Sequence, residues 1–246
     1  MSTIAIGDIH GHAGALRDLL AQVEPELTRG DDLVFLGDNV DRGPDSKACI
    51  DEILDLRERT TAAVTCLMGS HEEWLLRSMR DHRRHSWLLG MEGLTTVRSY
   101  SETAERTIVD AMSGSTLALY LEEAPLPYDV FFDAMPESHH KFLQSLWLYH
   151  VTPDAICAHA GIDPGKRDLK DQPSRTFLWG TDTFPDGYGG ELPVLYGHHD
   201  NALVDSAGWP HPRIVGRTIG LDTIAHGVLT AVRVPDAVVF QSRRFS

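Results

Sequence analysis

The sequence predicts an α/β protein built on parallel strands, and two observations carry that expectation. Residues 3–6, 33–36 and 62–68 are short apolar runs, and each ends in a polar turn that contains glycine. The first two of those turns lead into stretches of helical periodicity. Strand–helix–strand, repeated, means parallel strands joined by right-handed crossovers. At 246 residues, 42% apolar and 24% charged, the chain is long enough to bury a full core in the manner of a globular protein.

Each element follows from its own pattern. Behind the first strand, Leu16, Leu19, Leu20 and Val23 fall at i, i+3, i+4 and i+7, one face of a helix that Pro25 closes. Behind the second, Asp45 or Ser46 can cap a helix whose buried stripe is Cys49, Ile50, Ile53 and Leu54. Residues about 73–150 read as mostly helical. Residues 155–158 resume the strand pattern, and a turn-rich stretch follows with Pro164, Pro173, Pro185 and the pair Gly189, Gly190. The C-terminal part alternates as strands at 195–196, 218–221, 228–234 and 237–241. No linker, repeat or low-complexity tract interrupts the chain, so a single domain over 1–246 with a helical insertion at about 73–150 is the expectation.

Composition excludes some functions. The net charge of −14 leaves no basic excess for a nucleic-acid backbone or an anionic membrane, and it suits a protein that concentrates cations. Cys49, Cys66 and Cys157 are too few and too scattered for a disulfide framework. No charged leader precedes an apolar run, and nowhere do about 18 apolar residues occur in succession, so a cytoplasmic location is expected.

The polar clusters sit where α/β sheets carry their chemistry, beyond the carboxyl ends of the strands. In Gly7-Asp8-Ile9-His10-Gly11 the carboxylate and the imidazole are two residues apart and point to one side, as a divalent-metal chelate requires. Gly37-Asp38-Asn39-Val40-Asp41-Arg42-Gly43 ends the second strand. Parallel neighbours lie about 4.8 Å apart, so Asp8 and Asp38 converge, and a metal between them removes their repulsion. Gly69-Ser70-His71-Glu72 ends the third strand, and His159 and His198 follow later ones.

Together these motifs resemble the calcineurin-like metallophosphoesterase superfamily, in particular its phosphoprotein phosphatase branch of bacterial protein phosphatases and symmetrical diadenosine tetraphosphatases. Gly-Asp-x-His-Gly and Gly-Asp-x-x-Asp-Arg-Gly match in full, and the likeness runs from Gly7 through Gly161 and His198 to residues 220–231. The resemblance implies two β-sheets sandwiched between helices and two divalent metal ions, with manganese favoured over iron, zinc or nickel. Asp8 and His10 would hold the first ion, Asp38 would bridge, and His159 and His198 would hold the second. Arg42 would grip phosphate oxygens, and His71, positioned by Asp41, would protonate the leaving oxygen. The implied reaction is direct displacement at phosphorus by hydroxide shared between the metals. Substrates would be phosphoproteins or small phosphate monoesters; the alternatives are symmetrical hydrolysis of dinucleoside polyphosphates or a non-catalytic metal-dependent binder.

Three departures qualify the match. Ser70 stands where the family carries a metal-binding asparagine. Thr181, in Phe177-Leu178-Trp179-Gly180-Thr181, takes the place of a second phosphate-binding arginine. Asp200 lies two residues after His198, where wider relatives carry another metal-binding histidine, and could add a ligand. Trp74 and Tyr100 could stack on a nucleobase or a peptide, against the plainer role of core aromatics. His12 reads as a capping or surface residue and His199 as facing away from the site.

Overall fold

The computed structural model describes residues 1–113 and 116–245. Its first half is the expected alternation: β1 (Thr3–Ile6), α1 (Ala13–Val23), β2 (Asp32–Phe35), α2 (Ser46–Arg59), β3 (Ala63–Cys66) and α3 (Ser70–Arg80). The α1 stripe Leu16, Leu19, Leu20 and Val23 is buried, and Pro25 lies in the 3-10 turn that ends it. Of the two capping candidates for α2, Asp45 takes the role, accepting from the Ala48 N–H at 3.0 Å. The buried stripe of α2 runs on through Leu56, while Leu54 is only half-buried.

The helical stretch comprises α4 (Ser86–Gly90), α5 (Leu94–Tyr100), α6 (Glu102–Met112), α7 (Thr116–Tyr120), α8 (Asp129–Phe132) and α9 (Glu137–Gln144). It stops short of residue 150, because β4 (Tyr149–Val151) forms an antiparallel pair with β5 (Ile156–Ala158). The turn-rich segment holds one helix that its composition hid, α10 (Ser174–Trp179). Pro173 precedes its first turn, where a missing N–H costs nothing. There follow β6 (Val194–Tyr196), β7 (Ala202–Val204), β8 (Pro210–Val215), β9 (Thr218–Gly220), β10 (Thr230–Val234) and β11 (Val238–Gln241).

The strands form two mixed sheets. The order of the first is β11-β10-β1-β2-β3, with β1, β2 and β3 parallel; the second is β4-β5-β6-β9-β8-β7, with β5, β6 and β9 parallel. Side-chain alternation sorts the core into layers. Ala5, Val34 and Val232 from the first sheet meet Cys157, Leu195 and Ile219 from the second. Ile4, Ile6, Leu33 and Phe35 face the other way, onto the helices of the first half and the helical stretch. Under α10, Phe177 packs on Ala158 and Val194. The architecture is helix, sheet, sheet, helix. A central strand covered on both faces is apolar throughout, which is why β1 shows no polar alternation.

Both sets of parallel strands send their carboxyl ends to one edge of the sandwich, so the loops after β1, β2, β3, β5, β6 and β9 meet there. The opposite edge is tied by Asp31. Its Oδ1 accepts from the Ser2 N–H at 2.6 Å, and its Oδ2 accepts from the Thr28 N–H at 2.8 Å and the Thr28 hydroxyl at 2.6 Å. Burial alone would raise this carboxyl, but the donors from Thr28 and Ser2 outweigh it and hold the pKa at about 2. A depressed folded pKa gives stability that is complete above the unfolded value near 4 and disappears as pH falls toward 2. We therefore expect Asp31→Asn to cost about 1–2 kcal/mol at pH 7 and progressively less from pH 4 downward. Urea midpoints for both proteins across that range check this; a gap that stays constant with pH would refute it.

Candidate metal centre

Every strand-end residue singled out in the sequence arrives at the shared edge, and most are almost wholly buried there: Asp8, His10, Asp38, Asp41, Ser70, His71 and His159. The backbone is bent to bring them in. His10, Asp38, Asp41, Arg42 and His198 all have φ between 45° and 75°, the left-handed region that non-glycine residues seldom enter. Glycines make the room. A Cβ on Gly69 would stand 2.1 Å from Asp38 Oδ1, and one on Gly197 would stand 1.9 Å from Asp8 Oδ1.

Two imidazoles are oriented by backbone carbonyls. His10 Nδ1 donates to Val40 O at 3.1 Å, and His159 Nδ1 donates to Leu36 O at 3.0 Å, so in both rings Nε2 is left with its lone pair toward the site. His198 Nδ1 lies 3.1 Å from His159 Nε2, while His198 Nε2 is buried without a partner. Asp38 Oδ2 is the common point: 3.4 Å from His159 Nε2, 3.9 Å from His10 Nε2 and 3.9 Å from His71 Nε2. Two ligand groups result, His10 with Asp38 and His71, and Asp38 with His159 and His198. Such sets of imidazole nitrogens and a carboxylate, converging on one oxygen, fit first-row divalent metals.

The charges act on one another as such a site requires. Burial pushes the Asp8 carboxyl up, and the charges of Asp222 and Asp38 push it further. Burial would also raise Asp38, but His159 and His71 outweigh it and hold the group well below the ordinary carboxylate range. Burial lowers His198 to about 3, with His159 adding to the effect. His71 behaves oppositely: burial lowers it, yet the Asp38 charge and the Asp41 hydrogen bond bring it above the usual histidine value.

The second arm of the site is the His71–Asp41 pair. His71 Nδ1 donates to Asp41 Oδ2 at 2.8 Å. Asp41 also accepts from Trp87 Nε1 at 2.9 Å and from the Thr96 hydroxyl at 2.6 Å, both supplied by the helical stretch. Arg42 is exposed, and its Nη1 donates to His10 Nε2 at 3.0 Å.

Other residues fall less centrally. Asp8 lies 4.0 Å from His10 Nε2, but its two oxygens face the His198 N–H at 3.2 and 3.0 Å. The Ser70 hydroxyl donates to Asp38 Oδ2 at 3.2 Å, so it braces the shared carboxylate. Asp200 does not join the cluster: one oxygen pairs with His226 Nε2 at 2.9 Å and the other accepts from the Ala202 N–H. Thr181 lines a cavity of about 340 Å³ beside His198, and there Arg175 and Arg213 supply the cationic groups that Thr181 lacks. Tyr100 donates to His139 Nδ1 at 2.7 Å and packs on Phe131, away from the site.

Two acids were missed by the sequence reading. Asp222, after β9, is pushed up to about 7 by burial and then by the charge of Asp38. It obeys the same strand-end rule as Asp8 and Asp38, and that rule applied to residues 218–221 would have found it. Glu72 accepts from the N–H groups of Asp38 at 3.0 Å, Asn39 at 2.7 Å and Gly69 at 2.9 Å, locking the β2 loop to the start of α3.

A sandwich of two mixed sheets with carboxylates and imidazoles gathered at its strand ends is the architecture of a metal-dependent phosphoester hydrolase. The family model for calcineurin-like phosphoesterases matches residues 1–227, and the chain belongs to that family. These enzymes are hydrolases that use divalent metals. The chain is 30% identical to bis(5'-nucleosyl)-tetraphosphatase PrpE [asymmetrical] of Geobacillus thermodenitrificans, over 94% of this chain and 89% of the relative. It is 29% identical to the protein of the same name in Bacillus subtilis, over 94% and 90%. The fold is shared with the cold-active protein-tyrosine phosphatase of a Shewanella species, at TM-score 0.55 and 15% identity, covering 98% of this chain and 80% of that one.

Trp87→Phe removes one donor to Asp41 while nearly preserving volume. We expect a loss of about 1–3 kcal/mol in unfolding free energy, the cost of a buried carboxylate left short of a hydrogen bond. An unchanged denaturation midpoint would show that the indole does not support Asp41.

Proposed function

We propose that the chain is a two-cation phosphohydrolase that cleaves the phosphate chain of dinucleoside polyphosphates, with small phosphate monoesters and phosphoproteins as the competing substrate class. The observation that carries the two-cation reading is the Asp38 carboxylate oxygen shared between two groups of imidazole nitrogens. Asp8, His10 and Asp38 would hold one ion, and Asp38, His159 and His198 the other, with Ser70 bracing Asp38. Manganese suits this donor set, as do iron, zinc and nickel. Bound there, the ions would lower the pKa of water and neutralise charge on the phosphoryl oxygens.

The chain's own residues divide the remaining work. Arg42, exposed at the mouth, offers a planar fork of donors to phosphate oxygens. Water adds to phosphorus as the bond to the leaving oxygen breaks, and the departing electron pair takes a proton from His71 Nε2. Asp41 keeps Nδ1 of that ring protonated and Nε2 on the side of Asp38. The helical stretch acts as an insertion in a single catalytic domain, because Trp87 and Thr96 hold Asp41. The names of the relatives support the dinucleoside substrate. Three buried, unpaired cysteines suit a reducing cytoplasm. Among the described residues no helix is long and apolar enough to cross a membrane.

Two measurements test this. Elemental analysis of the purified protein is expected to give two ions per chain, and Asp38→Asn is expected to lose both; retention of two ions by the variant removes the bridge. His71→Ala is expected to slow diadenosine tetraphosphate cleavage on the order of 10²-fold or more, and p-nitrophenyl phosphate, with its good leaving group, far less. Equal losses would take the proton-donor role from His71. Turnover of a phosphopeptide well above that of diadenosine tetraphosphate would favour the competing substrate class.

A further inference from the structure

Two tryptophans stand beside the second imidazole group. Trp179, at the end of α10, approaches His198 edge to face with ring centroids 5.6 Å apart, and Trp74 lies against Trp179 at 5.1 Å with a 42° tilt. Glu73 fixes this arrangement: one oxygen accepts from Trp179 Nε1 at 2.8 Å and the other from Arg77 Nη2 at 2.5 Å. On α3, Ser70, Trp74 and Arg77 stand at i, i+4 and i+7, so one helix face runs from the Asp38 centre outward. Trp74 is about 6 Å along that axis from Ser70.

The indoles do not fill a core. Trp87 is fully enclosed, but Trp74 and Trp179 are only half-buried, and three separate cavities converge on Trp74. One of these, about 340 Å³, is lined by Glu73, Trp74, Arg77, Ser174, Arg175 and Trp179. Arg175 also lines the cavity that contains His198, so the two spaces adjoin. At 5.1 Å the indoles touch each other, and a flat ligand would lie on their open side and not between them. Arg175 and the Glu73-paired Arg77 flank this open aromatic face, so the cleft offers an aromatic anion a stacking surface and, in Arg175, a cationic group.

We propose that this cleft is a nucleoside subsite, in which a purine base stacks on Trp74 while Arg77 and Arg175 face the ribose and the adjoining phosphate. The proposal rests on the reading of the Asp38 centre as the place where the phosphate chain is bound. Stacking on an indole is tolerant of base identity, so the subsite selects for a nucleotide over a bare phosphate and not for one purine over another.

Calorimetric titration of the manganese-loaded full-length protein with AMP and with ribose 5-phosphate tests it. The wild type is expected to bind AMP about tenfold more tightly, the scale of one base–aromatic stack. Trp74→Leu, which keeps an apolar side chain, should erase that preference, and Trp74→Phe should retain most of it. Equal affinities in the wild type, or a preference that survives in Trp74→Leu, would overturn the subsite. The two readings fail separately. A Trp74-dependent preference in a protein that hydrolyses no phosphate compound leaves the subsite and removes the enzyme reading. Normal turnover with no preference for AMP does the reverse.

Discussion

Five carboxylates are packed into one edge of this sandwich. Asp8, Asp38, Asp41, Glu72 and Asp222 are each 3% exposed or less. Taking a carboxylate out of water costs several kcal/mol unless donors or cations replace the solvent, so the edge is stable only where each acid is supplied. Glu72 is satisfied by backbone N–H groups, and Asp41 by an indole, a hydroxyl and an imidazole. Asp38 accepts from the His71 N–H and the Ser70 hydroxyl, with imidazoles around it. Asp8 and Asp222 are supplied least: the first faces one N–H, and the second accepts from the Ile224 N–H at 3.3 Å. Burial drives their carboxyls up and the charge of Asp38 adds to it, as it does at Glu72. The deficit of positive charge therefore falls beside Asp38, where the proposed cations would sit.

Assembling such a cluster also strains the chain. A non-glycine residue in the left-handed region costs of order 1 kcal/mol or more, and five residues of the site bear that cost. The offset is visible in the loops. Glu72 accepts from three backbone N–H groups in two loops, those of Asp38, Asn39 and Gly69, and the His10 and Asp38 loops are joined by Ile9 N–H and His10 N–H donating to Asp38 O. Gly69 and Gly197 are glycines because a methyl group there would overlap the carboxylates of Asp38 and Asp8. The glycines of the motifs are thus part of the charge cluster: they let acids and imidazoles approach as closely as they do.

The sequence was most legible where one physical rule was repeated. Apolar runs buried on both faces gave β1, β2 and the helices behind them, and polar residues just past those runs gave Asp8, His10, Asp38, His159 and His198. Legibility failed where structure depends on partners distant in sequence. β7 is a three-residue edge strand, and β8 contains Pro210 and Pro212, so neither carries a strand signature of its own. α10 was hidden among prolines that mark turns as readily as helix starts. Glu72 reads as an ordinary helix-start acid until the β2 loop is folded against it. Trp74 and Tyr100 looked equivalent as aromatics in a helical region and both are half-buried, yet the tyrosine packs on His139 and Phe131 while the tryptophan packs on Trp179, the ring that meets His198.

The helical stretch is bound to the site through Asp41. Trp87 from α4 and Thr96 from α5 reach the carboxylate that orients His71, and the Thr96 hydroxyl also meets Ser46 at 2.8 Å and accepts from the Asp41 N–H at 2.9 Å. A lid that merely covered the centre would need none of these contacts. The stretch follows directly on α3, where His71 and Trp74 are one turn apart, so a displacement of that helix would move the proposed proton donor and the aromatic cleft together. The proposed substrate preference and proton delivery would then both depend on α3, whose first turn is tied to the β2 loop by Glu72 and whose Glu73 accepts from Trp179 of α10.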